Sequence, residues 1–345
     1  MPAPLGLLET ARMPVPARTL ERNSARLMNA FAIRFVLGCL SVALSGLVMA
    51  QGAWPERPIT LIVPFPAGGG VDLVARPFAE RFSERLGKPV VVVNRDGASG
   101  TIGTGAVAAA KPDGYTLAFT ASGPLTIQPH VIPTLGYKPE NLQPLCQVFA
   151  AQYVFAVRAD SPFKSLDDFV KGAKAQPGKL TYGFGGVATS PHLAVAQFVN
   201  AAQLDVLSVP FRGDPAAIVA LRSSEIDSAA LNIGQAKAQG FRALATFADA
   251  RQGDYPDTPT LKEKGYPVVS MAFGGLIGPK GIPDDVVNKI EDACKESTLD
   301  ERFKRAARQS SQDAIYRNRV DYAQVLSEDS AIKHEVVSRA GIKGP

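Results

Sequence analysis

From residue 58 onward, short apolar runs alternate with stretches whose apolar residues recur every three or four positions. The runs at 59–65, 90–94, 116–120, 180–184, 206–211, 227–231 and 242–247 read as strands. Several are apolar at successive positions, the pattern of strands covered on both faces. Strands alternating with helical stretches predict an α/β fold of doubly wound, mostly parallel sheets. In the first helical stretch Val71, Val74, Phe78, Phe82 and Leu86 form one stripe that can lie on a sheet. Pro77 falls within it, where it removes one hydrogen bond and clashes with the Leu73 carbonyl, so a kink or a late helix start is expected.

Two runs, 147–158 and 268–279, are too long for a short buried strand and lack a helical period. They read as two strands crossing between two lobes. The chain then builds a first lobe over 51–151 and a second over 152–270, and returns to the first over 271–345. Helices at 284–297, 299–309 and 322–339 complete that lobe.

The N-terminal 50 residues stand apart. An apolar run from 35 to 50 follows Arg34 and ends Val48-Met49-Ala50, with small residues at the −3 and −1 positions of a cleavage point before Gln51. About 20 apolar residues are needed to span a bilayer, so this run reads as a cleaved signal peptide and the mature protein as periplasmic. Met28 reads as the true start. Val36-Leu37-Gly38-Cys39 is a loose lipobox, with Leu37 bulky for its position.

Composition changes the picture in one respect. The 345 residues are 46% hydrophobic and 20% charged, ordinary for a globular chain with room for two domains. Of the formal charge of +5, the first 50 residues supply +3, through five arginines against Glu9 and Glu21, leaving +2. A near-neutral mature chain gives no reason to expect nucleic acid or an anionic membrane as partner. Cys39 leaves with the leader. Cys146 and Cys294 remain, and either pair as a disulfide in an oxidising compartment or stay as two buried thiols. No metal-ligand spacing is present and no cofactor is expected.

Candidate chemistry sits in turns between strands and helices, where ligands bind open α/β sheets and helix N-termini attract anions. The first turn is Pro64-Phe65-Pro66-Ala67-Gly68-Gly69-Gly70-Val71-Asp72, whose glycines allow close backbone approach. The second is Asp96-Gly97-Ala98-Ser99-Gly100-Thr101-Ile102-Gly103. The third, Gly185-Gly186-Val187-Ala188-Thr189-Ser190-Pro191-His192, offers Ser190 as N-cap and Pro191 as first helical residue. The fourth, Phe211-Arg212-Gly213-Asp214-Pro215, repeats that arrangement with Asp214. Ser122 and Asn232, each closing a strand, point toward the same cleft. The bland readings are that Ser190 and Asp214 are caps, His192 bonds within a helix turn, and Arg212 lies on the surface.

These segments together resemble the Bug-type extracytoplasmic receptors of tripartite tricarboxylate transporters. The resemblance runs through Trp54-Pro55, Val63-Pro64-Phe65-Pro66-Ala67-Gly68-Gly69 with Asp72, Val93-Asn94-Arg95, Pro112-Asp113-Gly114-Tyr115-Thr116-Leu117, Pro177-Gly178-Lys179-Leu180, Ser190 with His192-Leu193, and Val209-Pro210-Phe211-Arg212-Gly213. It covers nearly the whole mature chain. It implies a two-lobed periplasmic-binding-protein fold of type II character, a cleft gripping a small carboxylate, and docking to membrane permease subunits. By position it implies Phe65, Ala67, Gly68, Gly69, Gly70, Asp72 and Ser122 on the first lobe. Gly186, Thr189, Ser190, His192, Arg212, Gly213, Asp214 and Asn232 fall on the second. Gly70-Val71 stands where the family usually has hydroxyl residues, and Leu231 where an acid is common before Asn232. These departures favour an apolar or aromatic acid over an amino acid. A monomer without enzymatic activity is expected.

Other function classes fit less well. There is no G-x-S-x-G, and His334-Glu335 has no second histidine at zinc-helix spacing. Gly183-Phe184-Gly185-Gly186-Val187-Ala188 matches a dinucleotide fingerprint, but the next strand ends in Phe211-Arg212 where that fingerprint wants an acid. A sensor that binds the same ligand without a transport role would share the fold.

Overall fold

The computed structural model describes residues 54–251, 253 and 255–340. The expected signal peptide and its cleavage point lie outside these residues.

Ten strands follow in chain order: β1 (Ile59–Val63), β2 (Val90–Asn94), β3 (Thr116–Ala121), β4 (Leu142–Val157), β5 (Thr181–Phe184), β6 (Leu207–Pro210), β7 (Ser228–Asn232), β8 (Arg242–Thr246), β9 (Met271–Pro279) and β10 (Gln312–Arg317). Helices are α1 (Gly70–Leu86), α2 (Thr101–Ala108), α3 (Gly123–Thr126), α4 (Gln128–Val131), α5 (Leu166–Ala175), α6 (Ser190–Ala201), α7 (Asp214–Arg222), α8 (Ile233–Ala238), α9 (Asp284–Leu299), α10 (Glu301–Gln309) and α11 (Arg319–Ala340).

The parallel pairing expected from strand–helix alternation is found in β2-β1-β3 and again in β6-β5-β7. The long strands join these two groups and are antiparallel to their neighbours. β4 belongs to both: Leu142–Gln152 pair with β9 in the first sheet, and Tyr153–Val157 lie between β7 and β8 in the second. Two register shifts lie between Pro144 and Cys146 and between Gln147 and Phe149, the kind of irregularity that bends a strand and increases its twist. β9 pairs with β3 and β4 entirely within the first sheet. The chain returns just before it, where the Ser270 N–H bonds the Phe247 carbonyl.

α1 buries Val74, Phe78 and Phe82 completely. It starts at Gly70 and runs unbroken through Pro77, so the late start is not found. Phe78 packs against Phe82, Phe119 and Phe303 with ring centroids 5.2–5.7 Å apart, closing the first core around the C-terminal helices. In the second sheet Phe155, Phe169 and Phe198 are fully buried and pack edge to face. Cys146 on β4 and Cys294 on α9 form a disulfide with Cα atoms 6.7 Å apart. Of the two alternatives left open by the sequence, the cystine is the one formed. No helix among the described residues is long and apolar enough to cross a membrane.

Candidate functional site

The turns following β1, β5 and β6 converge on one cleft where β4 passes between the sheets. Phe65, Pro66, Gly69, Gly70 and Val71 line it from the first turn and the start of α1. Thr189, Ser190 and Pro191 enter from the start of α6, and Gly213 and Asp214 from the start of α7. Phe149, Ala151 and Tyr153 of β4 complete an apolar part, and the cleft holds about 740 Å³ of atom-free space, its mouth included.

Three helices of eight residues or more thus begin at this cleft. The first main-chain bonds of α1, α6 and α7 are Leu73 to Gly69, Leu193 to Thr189 and Ala217 to Gly213. N–H groups ahead of them have no helical acceptor, and helix N-termini carry partial positive charge. None of the three N-caps, Gly69, Thr189 and Gly213, uses a side chain to cap. Ser190 and Asp214, expected as caps, are instead the first residues of their helices. Gly213 has φ +83° and ψ 167°, a region open essentially to glycine alone. A Cβ there would lie 2.6 Å from Pro66 Cγ across the cleft.

Asp214 is half-buried, and burial alone pushes its carboxyl up to about 6. Burial raises the Tyr153 phenol as well, with the Asp214 charge adding to it. Among the described residues the cleft lining contains this one acid and no lysine, arginine or histidine.

Of the residues singled out from the sequence, Phe65, Gly69, Gly70, Thr189, Ser190, Gly213, Asp214 and Asn232 line the cleft. The others have different surroundings. Ala67 and Gly68 are exposed. Asp72 is 2% exposed and accepts from the Gly68 N–H, Arg76 and Asn94. Burial raises its pKa, but these three bonds outweigh that and hold it below the usual carboxylate range. Asp72 therefore shapes the glycine turn from behind. Ser122 is buried beneath α3, its Oγ unpartnered. His192 stacks on Phe184 with centroids 4.0 Å apart and accepts the Ala188 N–H at Nδ1. Burial pushes it down to about 4, so it is neutral at pH 7 and structural.

Arg212 and Gly186 border a neighbouring hollow at the mouth. The Arg212 side chain is 79% exposed and bonds Asp96 across that mouth at 2.7 Å, which holds the Asp96 carboxyl below its ordinary range. Ser99 Oγ to the Val187 carbonyl (2.7 Å) and Gln235 to the Gly68 carbonyl (3.2 Å) make further bonds across the cleft.

Ser99, from the second of the candidate turns, lines the cleft too, and three polar lining residues escaped the sequence reading: Gln128, Tyr153 and Gln312. Gln128 Nε2 donates to the Val187 and Ala188 carbonyls, and Gln312 Nε2 to the Gly70 carbonyl at 2.7 Å. No local motif marks them. The dinucleotide reading fails on geometry too, since β6 ends at Pro210 with no acid at its tip. Among the described residues no group of three or more His, Cys, Asp or Glu side chains is placed to hold a metal.

Two sheets sharing a through-going strand, with a cleft of helix N-termini between them, define a two-lobed solute-binding protein. The chain belongs to the tripartite tricarboxylate transporter family receptors, TctC, whose profile matches residues 74–342. It is 34% identical over 272 residues to a UPF0065 protein of Bordetella pertussis, covering 76% of this chain and 84% of that one. The periplasmic binding protein BugD superposes with a TM-score of 0.79 at 29% identity, covering 84% of this chain and 99% of BugD. Rpa4515 of R. palustris, solved with adipate, superposes with a TM-score of 0.80 at 26% identity, covering 84% and 99%.

Proposed function

We propose that this chain is a periplasmic receptor that captures a small carboxylate in the cleft and delivers it to a membrane permease of the tripartite tricarboxylate type. The observation carrying this reading is the convergence of three helix N-termini on a cleft without a cationic side chain. Main-chain N–H groups and hydroxyls then hold the anion, each helix end contributing about 0.3–1 kcal/mol. The adipate bound by Rpa4515 supports this ligand class. On this reading residues 51–151 and 271–345 form one lobe and 152–270 the other. The leader is removed after Ala50 and the mature chain works as a monomer without catalysis. Ligand stabilises the closed arrangement because only there do both sets of donors reach it.

A thermal-shift screen of ligand-stripped mature protein against a carboxylate library tests the reading. A ligand at 100 times its Kd stabilises by about 2.7 kcal/mol. At least one acid should raise Tm while its methyl ester does not. Esters stabilising as well as acids, or no acid stabilising, would remove the proposal.

A further inference from the structure

The chain has three histidines, and two of them meet away from the cleft. His130 in α4 and His334 in the last turns of α11 lie with ring centroids 4.9 Å apart. His130 Nε2 is 2.9 Å from Ser330 Oγ, so the Nε2 edge of that ring is aimed at α11. Ser330 and His334, four residues apart, share one face of the helix. Both imidazoles border a hollow with about 1160 Å³ of atom-free space, its mouth included. His334 is exposed and His130 half-buried, so an ion from solvent reaches both. Among the described residues the lining of this hollow contains no lysine, arginine, aspartate or glutamate.

An ion pair does not account for this meeting, because each ring faces another imidazole and the lining offers no carboxylate. Burial, and after it the charge of His334, pushes His130 below its ordinary pKa. The neutral ring so favoured keeps a nitrogen lone pair, the form that ligates a metal. Two imidazoles on one zinc ion, with Zn–N bonds of about 2.0–2.1 Å at a tetrahedral angle, have their ring centres about 5 Å apart. The observed separation is 4.9 Å. We propose that His130 and His334 together bind one divalent transition-metal ion of the kind that prefers imidazole, zinc above all, with water completing its shell. Two protein ligands are fewer than the three or four of resident zinc centres, so the ion exchanges with solvent. Bound, it ties α11 to α4 at the point where α11 reaches α6. Val337, three residues beyond His334, shares an apolar cluster with Val131 of α4 and Leu193 of α6.

Calorimetric titration of chelator-treated mature protein, free of any histidine tag, with zinc chloride at pH 7 tests it, and magnesium chloride is the control. One equivalent of zinc should bind and magnesium should not. His130→Phe and His334→Phe each keep a ring in place and remove its lone pairs, so each should weaken zinc binding ten-fold or more. Imidazole NMR on the unmodified chain keeps the test open if a variant folds poorly. Zinc should shift the ring resonances of two histidines and leave those of His192, which is stacked on Phe184, in place. Hydrogen exchange in α4 and the last turns of α11 should slow when zinc is added.

No zinc binding at millimolar concentration overturns the inference and leaves the two rings as packing partners alone. Zinc binding that both phenylalanine variants retain in full, or zinc that shifts neither His130 nor His334, places the ion elsewhere and overturns it too. Magnesium binding as tightly as zinc does the same, since imidazole does not select that ion.

Discussion

Replacing Gly213 by alanine separates strain within the fold from a clash across the cleft. At φ +83° and ψ 167° an alanine is strained whether the lobes are open or closed, by about 1–3 kcal/mol. The added methyl would also sit 2.6 Å from Cγ and 3.1 Å from Cδ of Pro66, on the opposite side of the cleft. The ring of Pro66 cannot rotate away, and overpacking of this kind costs about 1–3 kcal/mol. On the closure proposed above, only the closed arrangement contains that contact, so its energy is subtracted from ligand binding. The expected loss of affinity is about 5- to 150-fold. Gly240→Ala is the control: its φ is +67° with no atom within 4 Å of the new methyl, so it should lower Tm and leave Kd alone. Calorimetry and thermal unfolding on both variants decide the matter. Equal Kd values for Gly213→Ala and the unmodified chain, with Tm lowered, would refute closure of Gly213 onto Pro66.

Arg212→Ala removes an ion pair whose arginine is 79% exposed and screened by solvent, so titration should show less than about a five-fold change in Kd. Complete loss of binding would instead make Arg212 a direct clamp on the ligand. Replacing both Cys146 and Cys294 by serine opens a link spanning 148 residues and should lower the unfolding free energy by about 2–5 kcal/mol in urea titrations with ligand affinity kept. In ligand-free protein Asp214→Asn has a pH signature. The carboxyl is raised to about 6 when folded, against about 3.9 when unfolded. The folded state therefore binds the extra proton between those values, and unmodified protein loses stability as pH rises through them. The stability gap between Asp214→Asn and the unmodified chain should widen by about 1–3 kcal/mol from pH 4 to 6.5 and stay level above. A gap independent of pH would place Asp214 in water.

The turns were readable because their signals are local. Glycine, proline and small polar residues within a few positions of a strand end mark a helix start, which located Gly69, Gly70, Ser190 and Asp214 at the cleft. Cap assignment missed by one residue at α6 and α7, and the error had a consequence: a capping aspartate is satisfied, while Asp214 is not. Gln128, Tyr153 and Gln312 were invisible because three far-separated segments carry them to the cleft. Their sequence neighbourhoods are those of any short helix or strand. His192 and Asp72 were overread for the opposite reason: they sit in conspicuous motifs, but their hydrogen bonds run into the fold. The long apolar run behind β4 gave the passage between sheets directly. The run behind β9 looked similar because that strand, paired with β3 and β4, is buried along most of its length, and burial gives the same apolar pattern as a crossing.

The shared strand also constrains the order in which the molecule can be assembled. β4 is flanked in the first sheet by β9 and β10, which a chain delivered N-terminus first supplies last. Until they arrive, β1, β2 and β3 form a three-stranded fragment with an open edge at β3, and Cys146 is an unpaired thiol waiting for Cys294 148 residues later. The second sheet, by contrast, takes all its strands from one continuous stretch between β4 and β8. Nascent chains should therefore carry a finished second lobe beside an unfinished first one. That interval is when a holding chaperone or a mismatched disulfide has its best access.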